Sequence, residues 1–290
     1  MKKIIILIIF SIISMYYTNI CLNILKDNDP IMKQIKQNIN KYKVIGEDAK
    51  IIGNKIIPGK YGKEIDLNKT YSKMKKYGTY NETLMVMKEV QPKNSIENIY
   101  THYIEKGNSN DKSIALVFTI DNIESLTKLS SSLKNIKVPL TIFIDGTLLE
   151  LNENITNSLK DNEIELLSYN KEYDKNLFKT ALSYLENQTN KKTKYCYSEK
   201  ENEEILNLCK SLELHTIKPY LVINKDLLNN TKKNLSNSII IKIDINDKNL
   251  SELNLVVEYI KRKGYELKTI DELLSEKNWI NLTNWFIFNI

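Results

Sequence analysis

Arginine and histidine are almost absent from this chain. Its 290 residues hold one arginine, Arg262, and two histidines, His102 and His215. Proteins that bind nucleic acid lean on arginine forks and gather their basic residues into patches. Here the positive charge is nearly all lysine and alternates with Asp and Glu along the whole length. The net charge of +6 therefore describes a solvated surface, and no nucleic-acid partner is expected. The histidine count excludes more: no two imidazoles stand at ligand spacing, which removes the zinc sites built on paired histidines. Cysteine is scarce too, with Cys21, Cys196 and Cys209 the complete set.

What is present fits a globular domain with a real core, at 42% hydrophobic and 27% charged residues. The length leaves room for an anchor, one substantial domain and a small extra module. Lys2 and Lys3 precede an apolar run over residues 4–17, and a weaker apolar stretch continues to residue 25. This span is long enough to cross a bilayer as a helix. No small-x-small cleavage site follows it, and Cys21 lacks the small residues that precede a lipoprotein cysteine. The expectation is a signal-anchor over residues 1–25, with the bulk of the chain extracytoplasmic, or secreted if the segment is cut.

Residues 26–110 read as a small α/β module. Asp29-Pro30 starts a helix carrying Ile31, Ile35 and Ile39 on one stripe. Gly53-Asn54 turns a hairpin between residues 49–52 and 56–57, a second helix covers about 68–76, and residues 84–90 form a strand. His102, among Tyr100, Tyr103 and Ile104, reads as a packing or surface residue. From residue 113 short apolar runs alternate with amphipathic stretches for some 165 residues, the pattern of βα units around a parallel sheet or barrel. The helices include one over 148–159. His215 falls within a short strand, as a satisfied core residue. Cys196 and Cys209 are either bridged or two separate buried thiols, since Cys209 falls about two turns into a helix. The tail, residues 278–290, is rich in aromatic and apolar side chains and reads as a seal on one end of the domain, with a segment lying on the membrane surface as the alternative.

Six segments in register over residues 113–277 resemble the polysaccharide deacetylase, or NodB-homology, family. Ile114-Ala115-Leu116-Val117-Phe118 resembles the strand ending in T-F-D-D-G. Val138, Thr141, Phe143 and Gly146 are similar to V-x-A-T-F-F-x-x-G, and Asp161-Asn162-Glu163-Ile164 resembles G-H-E-I. Asn202 to Leu206 is similar to the helix after R-P-x-x-G, and Ser238-Ile239-Ile240 resembles S-I-I-L-L-H-D. Tyr259, Lys263-Gly264-Tyr265 and Ile270-Asp271-Glu272-Leu273-Leu274 match Y-x-x-x-K-G-Y and T-L-D-E-L-L. The resemblance implies an α/β fold: an irregular (β/α) barrel of the NodB type over 111–277, with the small module before it and the membrane anchor at the N-terminus.

The family's reaction is metal-assisted removal of an acetyl group from a sugar, using one Asp and two His on the metal, a second Asp as base and a late His as acid. At those positions this chain has Thr119 and Ile120 for the two Asp, with Asp121 displaced by one. Leu167 and Lys171 replace the two His, Tyr195 the Arg, Cys196 and Tyr197 the prolines, and Ile243 the late His. No metal or other cofactor is expected, and the site reads as degenerate. The remaining polar residues at strand ends are candidates only: Asp121, Asp145 and Asp244 as catalytic carboxylates, and Tyr169, Asn170, Tyr197 and Glu199 as ligand contacts. The expected role is a cell-envelope module that binds cell-wall glycan or another partner, with an active C–N hydrolase on a rebuilt, His-free site as the alternative.

Overall fold

A computed structural model describes residues 2–134, 136–151, 159 and 161–277. The aromatic tail and most of the stretch expected as helix beyond residue 151 lie outside the described residues. The chain divides into two compact units, residues 1–47 with 61–91, and residues 48–60 with 92–290.

In the first unit, α1 (Lys2–Asn28) is long and apolar enough to cross a membrane, and its described side chains are largely exposed. Asp29 caps α2 (Pro30–Asn38) by accepting the Ile31 N–H, with Pro30 at the first helical position. The buried Ile31 and Ile35 meet Met74 of α3 (Leu67–Tyr77) and Ile65 of β3 (Gly62–Ile65) in a small core. β3 pairs antiparallel with β4 (Met87–Val90), so the strand is shorter than the sequence pattern predicts, because residues 82–84 form a 3₁₀ turn. Gly62 has no room for a side chain, since a Cβ would stand 2.7 Å from the Val44 carbonyl oxygen.

The second unit begins with a hairpin, β1 (Lys50–Ile52) and β2 (Lys55–Ile57). This hairpin corrects the division expected at residue 110. Lys55 of β2 pairs with Tyr103 of β5 (Tyr103–Ile104), so both segments belong to the larger unit's sheet. Then follow β6 (Ser113–Ile120), α4 (Ile123–Leu133), β7 (Thr141–Ile144), α5 (Gly146–Leu151), β8 (Glu163–Leu166), α6 (Lys175–Thr189), β9 (Tyr195–Tyr197), α7 (Glu203–Ser211), β10 (His215–Ile217) and β11 (Leu221–Ile223). The chain continues through α8 (Leu227–Asn234), β12 (Ile239–Ile243), α9 (Asp247–Arg262), β13 (Glu266–Lys268) and α10 (Ile270–Leu274). The polar helix α8 has no counterpart in the sequence reading; its segment LLNNTKKN lacks an apolar stripe of helical period.

One sheet runs β11-β12-β6-β7-β8, all parallel, with β13 also beside β6. The other runs β1-β2-β5-β10-β9. Side-chain alternation sorts β6 into two cores. Ile114, Leu116, Phe118 and Ile120 face the helices, while Ala115 and Val117 join Phe143, Ile240, Tyr195, Tyr197 and Ile217 in a core shared by both sheets. Both sheets thus contribute side chains to one core. Among the described residues no backbone ladder joins β8 to β9. The Glu165 carboxylate spans that seam, accepting the N–H groups of Lys194 and Tyr195 at 3.2 and 3.3 Å. Cys196 on β9 and Cys209 on α7 form a disulfide with their Cα atoms 5.9 Å apart, both buried in the helix-facing core.

Candidate functional site

The interior-facing column of each strand continues to its C-terminal end, where a parallel α/β fold places its chemistry. By alternation, Thr119 and Asp121 follow Val117, Asp145 follows Phe143, Glu199 follows Tyr197, and Lys242 and Asp244 follow Ile240. Ile243, at the position matching the late histidine, is buried in the helix-facing core instead.

The candidate carboxylates at this end are occupied. Asp121 is ion-paired to Lys171 at 3.1 Å and accepts a hydrogen bond from the Asn122 amide. Lys171 is the residue that the resemblance sets against the second metal histidine. Asp145 is almost fully buried, and its two oxygens accept the N–H groups of Thr147, Asn170 and Lys171 and the hydroxyls of Thr147 and Ser168. Burial alone would raise its pKa, but these hydrogen bonds outweigh it and hold the carboxyl below the usual range. They also hold two successive left-handed residues, Asn170 (φ 52) and Lys171 (φ 60). Asp145 is therefore the post on which the loop after β8 is wound, and Asn170 is a turn residue of that loop. Tyr169 donates its hydroxyl to Glu150 at 2.9 Å.

Lys242 is the residue that sequence reasoning missed. Its side chain is only 9% exposed, and its ammonium bridges Asp244 and Glu199, the latter at 3.2 Å. The signal was present as a lone charge on the inward face of the run Ile-Ile-Ile-Lys-Ile. Tyr197 packs on Phe143 with ring centroids 5.1 Å apart, and its buried hydroxyl has no hydrogen-bond partner among the described residues. Burial first, then the charges of Glu199 and Asp244, push that phenol far above its usual pKa, so it is a neutral donor. The fully buried Asn249 ties the strand tips together, donating to the carbonyls of Ile223, Asn224 and Asp244. Among the described residues no group of three His, Cys, Asp or Glu side chains is arranged to hold a metal ion.

Neither histidine reaches this end of the strands as a ligand. His215 stacks on Tyr100 at 4.7 Å, and burial pulls its pKa down to about 4. Its Nδ1 is buried without a partner, so it is a neutral core residue short of one hydrogen bond. His102 touches the hydroxyl of Thr101.

At the opposite, N-terminal end of β8 and β9 a cavity of about 720 Å³ is lined by Glu163, Glu165, Lys194, Asp271 and neighbours. Glu163 accepts from Thr141 and from the first N–H groups of α10, and Tyr195, at the family's arginine position, donates to Asp271 at 3.2 Å. Burial raises Glu163 to about 7, opposed by its hydrogen bonds and reinforced by Asp271. Burial and the neighbouring Glu163 raise Glu165 further.

The fold of this chain is similar to that of polysaccharide deacetylases, the family 4 carbohydrate esterases. The solved structures most informative about it are of BA3943, described as a CE4 family pseudoenzyme, from Bacillus anthracis. The wild-type protein matches with a TM-score of 0.62 at 23% identity over 87% of this chain and 97% of that one. A mutant of it, described as having restored enzymatic activity, matches with a TM-score of 0.63 at 22% identity, over 86% and 100%. The Bc1960 peptidoglycan N-acetylglucosamine deacetylase matches with a TM-score of 0.53 at 18% identity, over 61% of this chain and 95% of that one. In sequence, the uncharacterized protein YlxY of Bacillus subtilis (strain 168) is 24% identical over 272 residues, 86% of this chain and 84% of that protein. No sequence-family profile matches. These likenesses establish the fold; activity is a matter for the site.

Proposed function

We propose that this chain is a non-catalytic cell-envelope protein, tethered to the membrane by α1, whose deacetylase fold serves as a module that binds cell-wall glycan. One observation carries the reading: lysines pair with the carboxylates at the C-terminal ends of the strands, where the family resemblance sets the deacetylases' metal. Lys171 pairs with Asp121, and Lys242 pairs with both Glu199 and Asp244. A divalent ion about 4 Å from the Lys242 ammonium would be repelled by roughly 8 kcal/mol even at a protein-like effective dielectric of 20. Glu199 and Asp244 attract such an ion, but Lys242 takes up one of their two charges, and neither imidazole helps: His215 is stacked on Tyr100 and His102 touches Thr101. General acid–base work lacks its groups as well. Asp145 is locked by five hydrogen bonds, and Tyr197 stays protonated. A rim of lysine–carboxylate pairs with a buried tyrosine hydroxyl beside it can still hold a neutral, hydroxyl-rich ligand.

Metal analysis of the purified chain and an acetate-release assay on acetylated peptidoglycan and chitin oligomers test the reading, with Asp121→Ala as control. Retention on peptidoglycan without turnover supports it. Acetate release that Asp121→Ala abolishes overturns it in favour of a hydrolase with a rebuilt site.

A further inference from the structure

The net charge of this chain is not spread over it. The first unit holds 13 lysines against 7 acidic residues, which is the whole +6, and the second holds 29 basic against 29 acidic residues and is neutral. Lys2 and Lys3 precede the apolar segment of α1, so an excess of 4 remains beyond it, in the part of the first unit that follows the helix. Within that part the lysines differ in what they meet. Lys75 is paired with Asp29, and Lys36 with Asp27. Lys69, Lys73 and Lys76 recur at helical spacing on the outer side of α3, all exposed, while Thr70 and Met74 face the core. Lys73 and Lys76 have no ion-pair partner among the described residues, and Lys69 has only a 3.7 Å contact to Asp66. Ser72, also exposed, lies in the same stripe.

The position of that face is set by α1. Lys26, in the last turn of α1, bonds Asn68 at the start of α3 and lies 5.3 Å over the Tyr71 ring. The lysine stripe begins at the next residue and spans roughly 10 Å at 1.5 Å per residue. That is close to one Debye length at physiological salt, so with α1 ending at an interface all three ammonium groups lie within electrostatic reach of it.

We propose that the first unit docks on the membrane its own helix enters, through the Lys69–Lys73–Lys76 face of α3, and that the surface it binds is the layer of anionic phospholipid headgroups. The proposal rests on the reading of α1 as a retained anchor. Its consequence is that the neutral second unit is left free for its ligand while the charged first unit is held at the bilayer.

The test places the full chain in lipid nanodiscs of phosphatidylcholine, with or without phosphatidylglycerol, and measures amine acylation of individual lysines by mass spectrometry. A headgroup layer stabilises each nearby lysine about fivefold in surface partition. Labelling of Lys69, Lys73 and Lys76 is expected to slow by about that factor in the phosphatidylglycerol discs. High salt should reverse the effect, and Lys261 of the neutral unit should label equally in both. Inorganic phosphate added to phosphatidylcholine discs should give no protection; protection there assigns the face to free phosphate and overturns the proposal. Equal labelling in the two discs overturns it too. A chain that fails to co-purify with discs of either composition refutes the anchor, and the docking falls with it.

Discussion

The buried acids at the β8–β9 seam make stability fall as pH rises above neutrality. Glu163 and Glu165 bind their protons more tightly in the folded chain than at the ordinary glutamate value of 4.5. For such groups the stabilising contribution is complete below the unfolded pKa and is lost as pH rises through the folded one. Glu163, raised to about 7, loses 2.5 pH units of proton linkage, or about 3 kcal/mol at roughly 1.4 kcal/mol per unit. His215 acts in the other direction. Its pKa is pulled from 6.5 to about 4, so the unfolded chain binds the extra proton and stability rises with pH across that interval by a similar amount. These two contributions offset one another up to pH 6.5. Above it His215 is neutral in both states and Glu163 completes its titration, with Glu165, also raised, acting in the same direction.

Urea denaturation of residues 29–290, followed by near-ultraviolet circular dichroism, should therefore show stability falling as pH rises from 6.5 through about 7, by up to about 1.4 kcal/mol per unit from Glu163, with Glu165 adding to the fall. Glu165→Gln keeps a carbonyl oxygen for the Lys194 and Tyr195 N–H groups but cannot ionise. It should reduce the loss of stability with rising pH and leave the part that belongs to Glu163. A wild-type stability that is flat or rising over this interval, or an unchanged slope in Glu165→Gln, refutes the reasoning.

Reducing the Cys196–Cys209 disulfide releases a loop of sequence separation 13 and should cost about 3 kcal/mol, read as a lower thermal midpoint with reductant present. Asp145→Ala removes the acceptor for five hydrogen bonds and frees two left-handed residues, so a loss of about 3 kcal/mol or more is expected by chemical denaturation. Because the Asp145 carboxyl is held below 3.8, its contribution persists above that value and disappears only as pH falls through the lowered folded-state value. Lys242→Met leaves Glu199 and Asp244 without their cation. The variant should lose about 1 kcal/mol and acquire a thermal midpoint that rises with added zinc or calcium, whereas the wild-type midpoint stays put. A wild-type midpoint that rises with zinc would count against the ion-pair reading of the site.

Much of the fold was legible in the sequence. The run 123–133 reads as helix and is α4, and the apolar runs at 114–119, 140–144 and 221–223 fall on β6, β7 and β11. These elements record which face is apolar, and burial selects for that period directly. α8 escaped because most of its residues are polar and its burial rests on Leu227 and Thr231 alone. The hairpin at residues 50–57 was recognised but assigned to the wrong unit, because a strand's own sequence does not say which sheet it will extend.

The sequence by itself determined which groups are available to the strand ends, with two histidines in the chain against 41 lysines. Which charges meet there was decided by tertiary structure alone. Lys171 lies 50 residues from Asp121 along the chain, and Lys242 lies 43 from Glu199; each pair meets because parallel strands bring their C-terminal ends to one rim. The same holds for the Cys196–Cys209 bridge and for Glu165 across the β8–β9 seam. Periodicity within an element fixes which way a side chain points, whereas strand order and register, set by the packing of the whole core, choose the charge it meets.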